Sequence, residues 1–169
     1  MKKLIYLIII LLLLSPFAYR GAKKAYYNYL NYQAKQLEGS NVTNLVAYDI
    51  NKKVYSFKDL KGKEIVIIFW ASWCKTCIDE MPKIQKFYKN LNKDTILISA
   101  LVDKKGEDAR RVIKKYNINY PVIVNNTKNL EFFKYFKITH TPSIWIVDKN
   151  GTILAQNLLH IDSVLKVLK

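Results

Sequence analysis

An α/β fold with a central mixed β-sheet and helices on both faces is the architecture this sequence predicts, and three observations carry it. Short β-branched and aromatic runs alternate with stretches of helical periodicity. Two of the runs, residues 65–70 and 96–102, are continuously apolar, as central parallel strands buried on both faces are. The last two, residues 144–147 and 152–155, flank Asp148-Lys149-Asn150-Gly151, whose Asn-Gly pair marks an antiparallel hairpin. Parallel strands followed by a hairpin make the sheet mixed.

The elements follow in order. Met1-Lys2-Lys3 and the apolar run at residues 4–14 form a basic region and a hydrophobic region, the pattern of an export signal. Residues 4–19 span roughly 24 Å as a helix, short of the ~30 Å hydrocarbon core. Flanking Tyr19, Tyr26, Tyr27, Tyr29 and Tyr32 supply an aromatic belt, with Arg20, Lys23 and Lys24 at the headgroups. We expect residues 1–21 to be an uncleaved signal anchor, with a cleaved signal peptide as the alternative. Residues 22–41 are polar and tyrosine-rich and read as a stalk. Residues 42–169 suit one domain with one core.

Within that domain, residues 45–49 and 53–56 form an N-terminal hairpin around Ile50-Asn51-Lys52, followed by a helical turn at 57–60 that Gly62 stops. A helix over residues 78–91 follows the first buried strand. Its Met81, Ile84, Phe87 and Leu91 share one face, and Pro82 should bend it. A second helix is expected over residues 106–116, facing Ala109, Val112, Ile113 and Tyr116 inward. A short strand follows at 121–124, then helices at 128–136 and 160–169.

The chain has two cysteines, Cys74 and Cys77, at the turn between the first buried strand and its helix. Unpaired N–H groups and the helix dipole favour a thiolate at Cys74, and Lys75 adds a neighbouring cation. A thiolate that attacks a disulfide needs a second thiol to resolve the mixed intermediate, and Cys77 lies one turn on. A zinc site needs four ligands, and the two histidines, His140 and His160, are 20 residues apart. A purely structural disulfide closing so short a loop would contribute little stability.

The stretch from Phe69 through Trp73-Cys74-Lys75-Thr76-Cys77 to Glu80-Met81-Pro82 resembles the active-site segment of membrane-tethered thioredoxin-like proteins of the TlpA/ResA/CcmG group. Thr141-Pro142-Ser143 and the Asp148–Gly151 turn are similar to that group's later landmarks. The resemblance covers about residues 42–160 and implies a thioredoxin-like fold. It makes Cys74 the exposed nucleophile and Cys77 the buried resolving thiol. It places Thr141-Pro142 in cis, against the general trans preference, with the Thr141 backbone and Trp73 forming the substrate-binding surface. Ordinary thioredoxins carry a buried aspartate six residues before the first cysteine, where this chain has Ile68. The resemblance makes Glu80 the replacement acid, a proton acceptor for Cys77. Its competing reading is a first-turn acid that favours the helix dipole, a role Asp79 would fill equally. His140 reads as a polar rim residue.

The net charge is +15, from 28 basic and 13 acidic side chains. The basic residues fall in scattered pairs such as Lys52-Lys53, Lys104-Lys105, Arg110-Arg111 and Lys114-Lys115. This pattern suits a solvated face and argues against nucleic-acid binding. The combined expectation is an extracytoplasmic, membrane-anchored, monomeric thiol–disulfide oxidoreductase at the periplasmic face. It would reduce protein disulfides, with apocytochrome c as the leading substrate, and be recharged by a transmembrane thiol donor. No cofactor or metal beyond the Cys74–Cys77 pair is expected. The alternatives are an oxidase that donates its disulfide, toward which Lys75 points, and a metal or haem-protein assembly chaperone.

Overall fold

The computed structural model describes residues 2–103 and 107–168, without the side chains of residues 2–5, 7–14 and 107–109. The predicted helix start at Gly106 and the Lys104-Lys105 pair lie outside the described residues, as does the inward placement expected of the Ala109 side chain.

The sheet is organised around its central strand, β3 (Glu64–Trp70). Its neighbours are β4 (Thr95–Leu101), paired in parallel, and β6 (Ser143–Val147), paired antiparallel. Outside these lie β5 (Val122–Val124), parallel to β4, and β7 (Ile153–Leu158), antiparallel to β6. The order is β5-β4-β3-β6-β7, a mixed sheet as the sequence predicts. Strand alternation sends Val66, Ile68 and Trp70 to one face and Ile65, Ile67 and Phe69 to the other. The first face packs on Met81 and Ile84 of α2 (Lys75–Lys89) and on Val164. The second packs on Phe132 and Phe136 of α4 (Leu130–Phe136) and on Ala47 of the hairpin β1 (Val46–Tyr48) and β2 (Val54–Ser56).

The two buried indoles of the sheet are satisfied locally. Trp70 Nε1 donates to Ser99 Oγ at 3.1 Å, and Trp145 Nε1 donates to Ser143 Oγ at 3.0 Å. At the β6–β7 turn Gly151 takes φ +84°, and a Cβ there would lie 2.5 Å from Thr43 Cγ2.

Several boundaries differ from expectation, each for a local reason. Helix α2 begins at Lys75 rather than residue 78, because Cys74 itself caps it. α3 runs over Glu107–Lys115. The helix expected at 128–136 opens as a 3-10 turn, Thr127–Asn129, capped by the Asn126 side chain, and Lys137 ends it at φ +49°. The expected closing helix is short. His160 is extended, a 3-10 turn covers Ile161–Ser163, and α5 is only Val164–Val167.

The N-terminal helix α1 spans Lys2–Lys35 and runs through residue 22 without interruption. Its last turns meet the domain. Ala34 is buried against it, Lys137 Nζ donates to Gln33 Oε1 at 2.9 Å, and Thr139 Oγ1 donates to Asn31 Oδ1 at 2.6 Å. Among the described residues no helix is long and apolar enough to cross a membrane.

Asn129 ties the hairpin to the sheet. It is fully buried, accepts from the Tyr48 N–H at 2.8 Å, and donates to the carbonyls of Tyr48 and Val124, each at 2.9 Å. Asn129→Ala leaves these backbone groups without their partner. It is expected to lower stability by about 2–4 kcal/mol, read as a lower denaturant midpoint at unchanged slope.

Candidate active site

The buried strand β3 ends at Trp70, and the chain turns through Ala71, Ser72 and Trp73 before α2 begins. Two contacts hold the turn. The Cys74 N–H donates to the Ala71 carbonyl at 3.1 Å, and the Ser72 N–H donates to Asp103 Oδ2 at 3.0 Å. The Ser72 hydroxyl also donates to Asp103, at the far end of β4. Sequence reasoning missed Asp103, since 31 residues separate it from Ser72 and only strand pairing brings them together.

Cys74 has extended backbone (φ −83°, ψ 101°), and its Sγ accepts from the Cys77 N–H at 3.2 Å. The sulfur therefore occupies the N-cap position, facing the free N–H groups and the positive end of the dipole. In the reduced protein a thiolate is favoured there. The two cysteines form a disulfide, with Cα atoms 5.2 Å apart. Cys74 is 7% exposed and Cys77 1%. Lys75 does not act on the sulfur as a lone cation, because its ammonium is 2.6 Å from Asp79 Oδ2 one turn along the exposed face.

The loop before β6 closes the site from the opposite side. Thr141-Pro142 is cis, Pro142 is buried, and the Thr141 carbonyl oxygen lies 3.5 Å from Cys74 Sγ. Trp73 is 75% exposed beside the disulfide. It lines an open cavity of about 310 Å³ with Phe133, Ile138, His140 and Thr141. His140 Nδ1 is 3.0 Å from Thr139 Oγ1, and burial pushes its pKa below the ordinary histidine value.

Behind the disulfide a crevice of about 10 Å³ is lined by Cys77, Glu80, Ile68 and Pro142, about the space one water molecule fills. Glu80 is the sixth residue of α2, in the second turn, and only 7% exposed. The first turn of α2 carries no acid, so the dipole-favouring reading of Glu80 does not apply. The carboxylate enters from the helix toward the space bordered by Ile68, the strand position that lacks an acid.

Glu80 is held by three groups. Lys83 Nζ donates to Oε1 at 3.1 Å, the Ile161 N–H donates to Oε2 at 3.3 Å, and His160 Nδ1 lies 3.4 Å from Oε1. Lys83 also reaches Asp162 Oδ2 at 3.3 Å. The sequence carries no signal for the His160–Glu80 contact, which joins residues 80 positions apart. The structure thus brings Cys74, Cys77, Glu80, Trp73, Thr141 and Pro142 to one end of the sheet. Among the described residues no group of three or more His, Cys, Asp or Glu side chains could hold a metal ion.

Comparison with known proteins agrees with this geometry. A family model described as the AhpC/TSA family matches residues 33–156. The thiol–disulfide oxidoreductase ResA of Bacillus cereus is 31% identical over 158 residues, which cover 92% of this chain and 87% of that protein. The thioredoxin domain of a thiol–disulfide oxidoreductase from Bacteroides vulgatus superposes with a TM-score of 0.66 at 23% identity, covering 78% of this chain and 98% of that domain. StoA of Bacillus subtilis superposes with a TM-score of 0.63 at 20% identity, covering 74% and 96%. The two structural likenesses speak for the fold.

Two outcomes follow from this geometry. In the reduced protein, iodoacetamide is expected to label Cys74 at least about tenfold faster than Cys77, as mass spectrometry of timed samples would record. Equal labelling would contradict the nucleophile assignment. His140 is expected to titrate below about 6.5 in an NMR pH series. Because its folded pKa is depressed, the unfolded chain binds more protons on acidification, so His140 subtracts stability as pH falls through the ordinary histidine range. His140→Gln should flatten that part of the stability–pH curve.

Proposed function

The chain belongs to the AhpC/TSA family and is a thiol–disulfide oxidoreductase; from that premise we propose a membrane-tethered, extracytoplasmic reductase of protein disulfides. The observation that carries the reading is the pairing of an N-capping sulfur with a second sulfur backed by a buried carboxylate.

The reaction starts from the dithiol. The Cys74 thiolate attacks one sulfur of the substrate disulfide, and the departing substrate sulfur takes the electron pair and a proton. Substrate backbone docks against the Thr141 edge, with Trp73 and the adjoining cavity receiving its side chains. The Cys77 thiol then gives its proton to Glu80, across a crevice wide enough for one water. The Cys77 thiolate attacks Cys74 Sγ, the mixed disulfide breaks, and the second substrate sulfur leaves reduced. Two electrons have passed from the dithiol to the substrate, and the chain holds the disulfide seen here. A transmembrane thiol donor restores the dithiol, and no organic cofactor takes part.

The basic and apolar N-terminal segment supports the tether and the extracytoplasmic placement. The group that the cysteine stretch resembles supports apocytochrome c cysteines as substrate. Lys75, the residue that points toward the oxidase direction, is paired with Asp79. That pairing favours the reductase.

The test is the equilibrium reduction potential of the Cys74–Cys77 pair in the full-length protein. A value at or below about −250 mV supports the reductase, whereas one near about −120 mV moves the assignment to an oxidase. Glu80→Gln is expected to slow resolution of the mixed disulfide about a hundredfold. Unchanged exchange rates and thiol titrations would remove Glu80 from the reaction.

A further inference from the structure

Glu80 can serve repeated turnovers only if the proton it takes from Cys77 can leave. Its carboxylate is almost closed off from solvent, and the crevice it shares with Cys77 is walled by Ile68, Trp70, Pro142 and Ile144, none of which titrates. The titratable groups that face it come from two elements. From α2 come Cys77 and Lys83, and from the turn before α5 comes His160, with Asp162 one contact further out on Lys83.

These neighbours are not equivalent as proton acceptors. The Lys83 ammonium is held protonated above its ordinary range by its hydrogen bonds to Glu80 and then Asp162, so it has no lone pair to offer. The Ile161 N–H is a fixed backbone donor. Asp162 does not touch the Glu80 carboxylate; it reaches it only through Lys83. The imidazole of His160 is different. Its Nδ1 lies 3.4 Å from Glu80 Oε1, and 54% of its side chain is exposed to water. An imidazole has two ring nitrogens, so it can accept a proton at one and lose one from the other. His160 therefore meets the buried acid through Nδ1 while more than half of its side chain lies open to water.

We propose that His160 is the proton outlet of the site. It receives from Glu80 the proton released by Cys77 and delivers it to water. This rests on the reading of Glu80 as the acceptor for Cys77. The Cys77 S–H bond breaks, and Glu80 passes the proton from Oε1 to Nδ1 of the imidazole while the new Cys74–Cys77 bond forms, so that resolution and proton release proceed together. The imidazolium then loses a proton to solvent. No electrons move in the outlet step, and no further reactant is needed. The 3.4 Å separation is longer than a working hydrogen bond and needs a small closure, as proton-transfer contacts in a substrate-free site commonly do. His160 acts through Glu80 and never touches the sulfurs.

The experiment uses single-turnover reduction of a disulfide-linked peptide by the full-length dithiol protein, in buffer of low capacity. His160→Ala is expected to slow mixed-disulfide resolution about tenfold, to shift its pH profile, and to recover most of the rate when free imidazole is added. Glu80→Gln, run beside it, is expected to be slow with or without imidazole. A His160→Ala protein that resolves at the parent rate overturns the outlet, as does a loss that imidazole leaves uncorrected, which would make the contact structural. If Glu80→Gln itself resolves at the parent rate, the reading of Glu80 fails and the outlet falls with it. Slow Glu80→Gln beside fast His160→Ala removes the outlet alone.

Discussion

The burial of β3 on both faces is the constraint on which the rest of the molecule depends. Val66, Ile68 and Trp70 look to one layer of the core, and Ile65, Ile67 and Phe69 to the other. A one-residue slip would exchange the two sets against helices shaped for the other, so the register is tightly specified. Because β3 cannot slide, the point where the chain leaves the sheet is set. That point delivers Cys74 to the N-cap of α2. The reactive sulfur is placed by an apolar strand that never touches it.

The same strand explains where the acid sits. A carboxylate at Ile68 would have to be buried in the sheet with β-strand neighbours on either side, and this chain fills the position with an aliphatic side chain at 1% exposure. The acid comes instead from α2, whose second turn overlooks the same crevice. Placing it on a helix near the chain's last turn has an electrostatic consequence. Glu80 can be reached by Lys83, His160 and a backbone N–H, so a nearly buried charge keeps partners that offset its desolvation. These contacts also tie the short segment around α5 to the active-site helix.

On the other side of the disulfide the site is open. The Thr141 carbonyl of the cis Thr141-Pro142 pair lies near Cys74, and Trp73 stands exposed beside a cavity of mixed apolar and polar lining. The loop that carries this surface also receives Asn31 and Gln33 from α1. The last turns of the N-terminal helix therefore brace the segment that leads to the Thr141-Pro142 loop. The cavity at Trp73 and Thr141 and the crevice at Cys77, Glu80 and Pro142 are separate spaces that both border the disulfide loop.

Much of this was legible in the residues. Strand runs, the Asn-Gly hairpin and the strand–CxxC–helix arrangement each rest on short-range chemistry, since periodicity and turn preference are properties of neighbours in the chain. Helix ends were less legible. Cys74 acts as the cap of α2, and the closing helix shrinks to Val164–Val167 behind an extended His160 and a 3-10 turn. Contacts made across the fold left no local trace. Ser72 with Asp103, Asn129 with Tyr48 and Glu80 with His160 join residues 31, 81 and 80 positions apart. The sequence by itself determined the order of elements and the chemistry of the cysteine pair, because both depend on adjacent residues. Only the tertiary structure decided which carboxylate and imidazole share a site, because sheet pairing and packing, not spacing, bring distant side chains together.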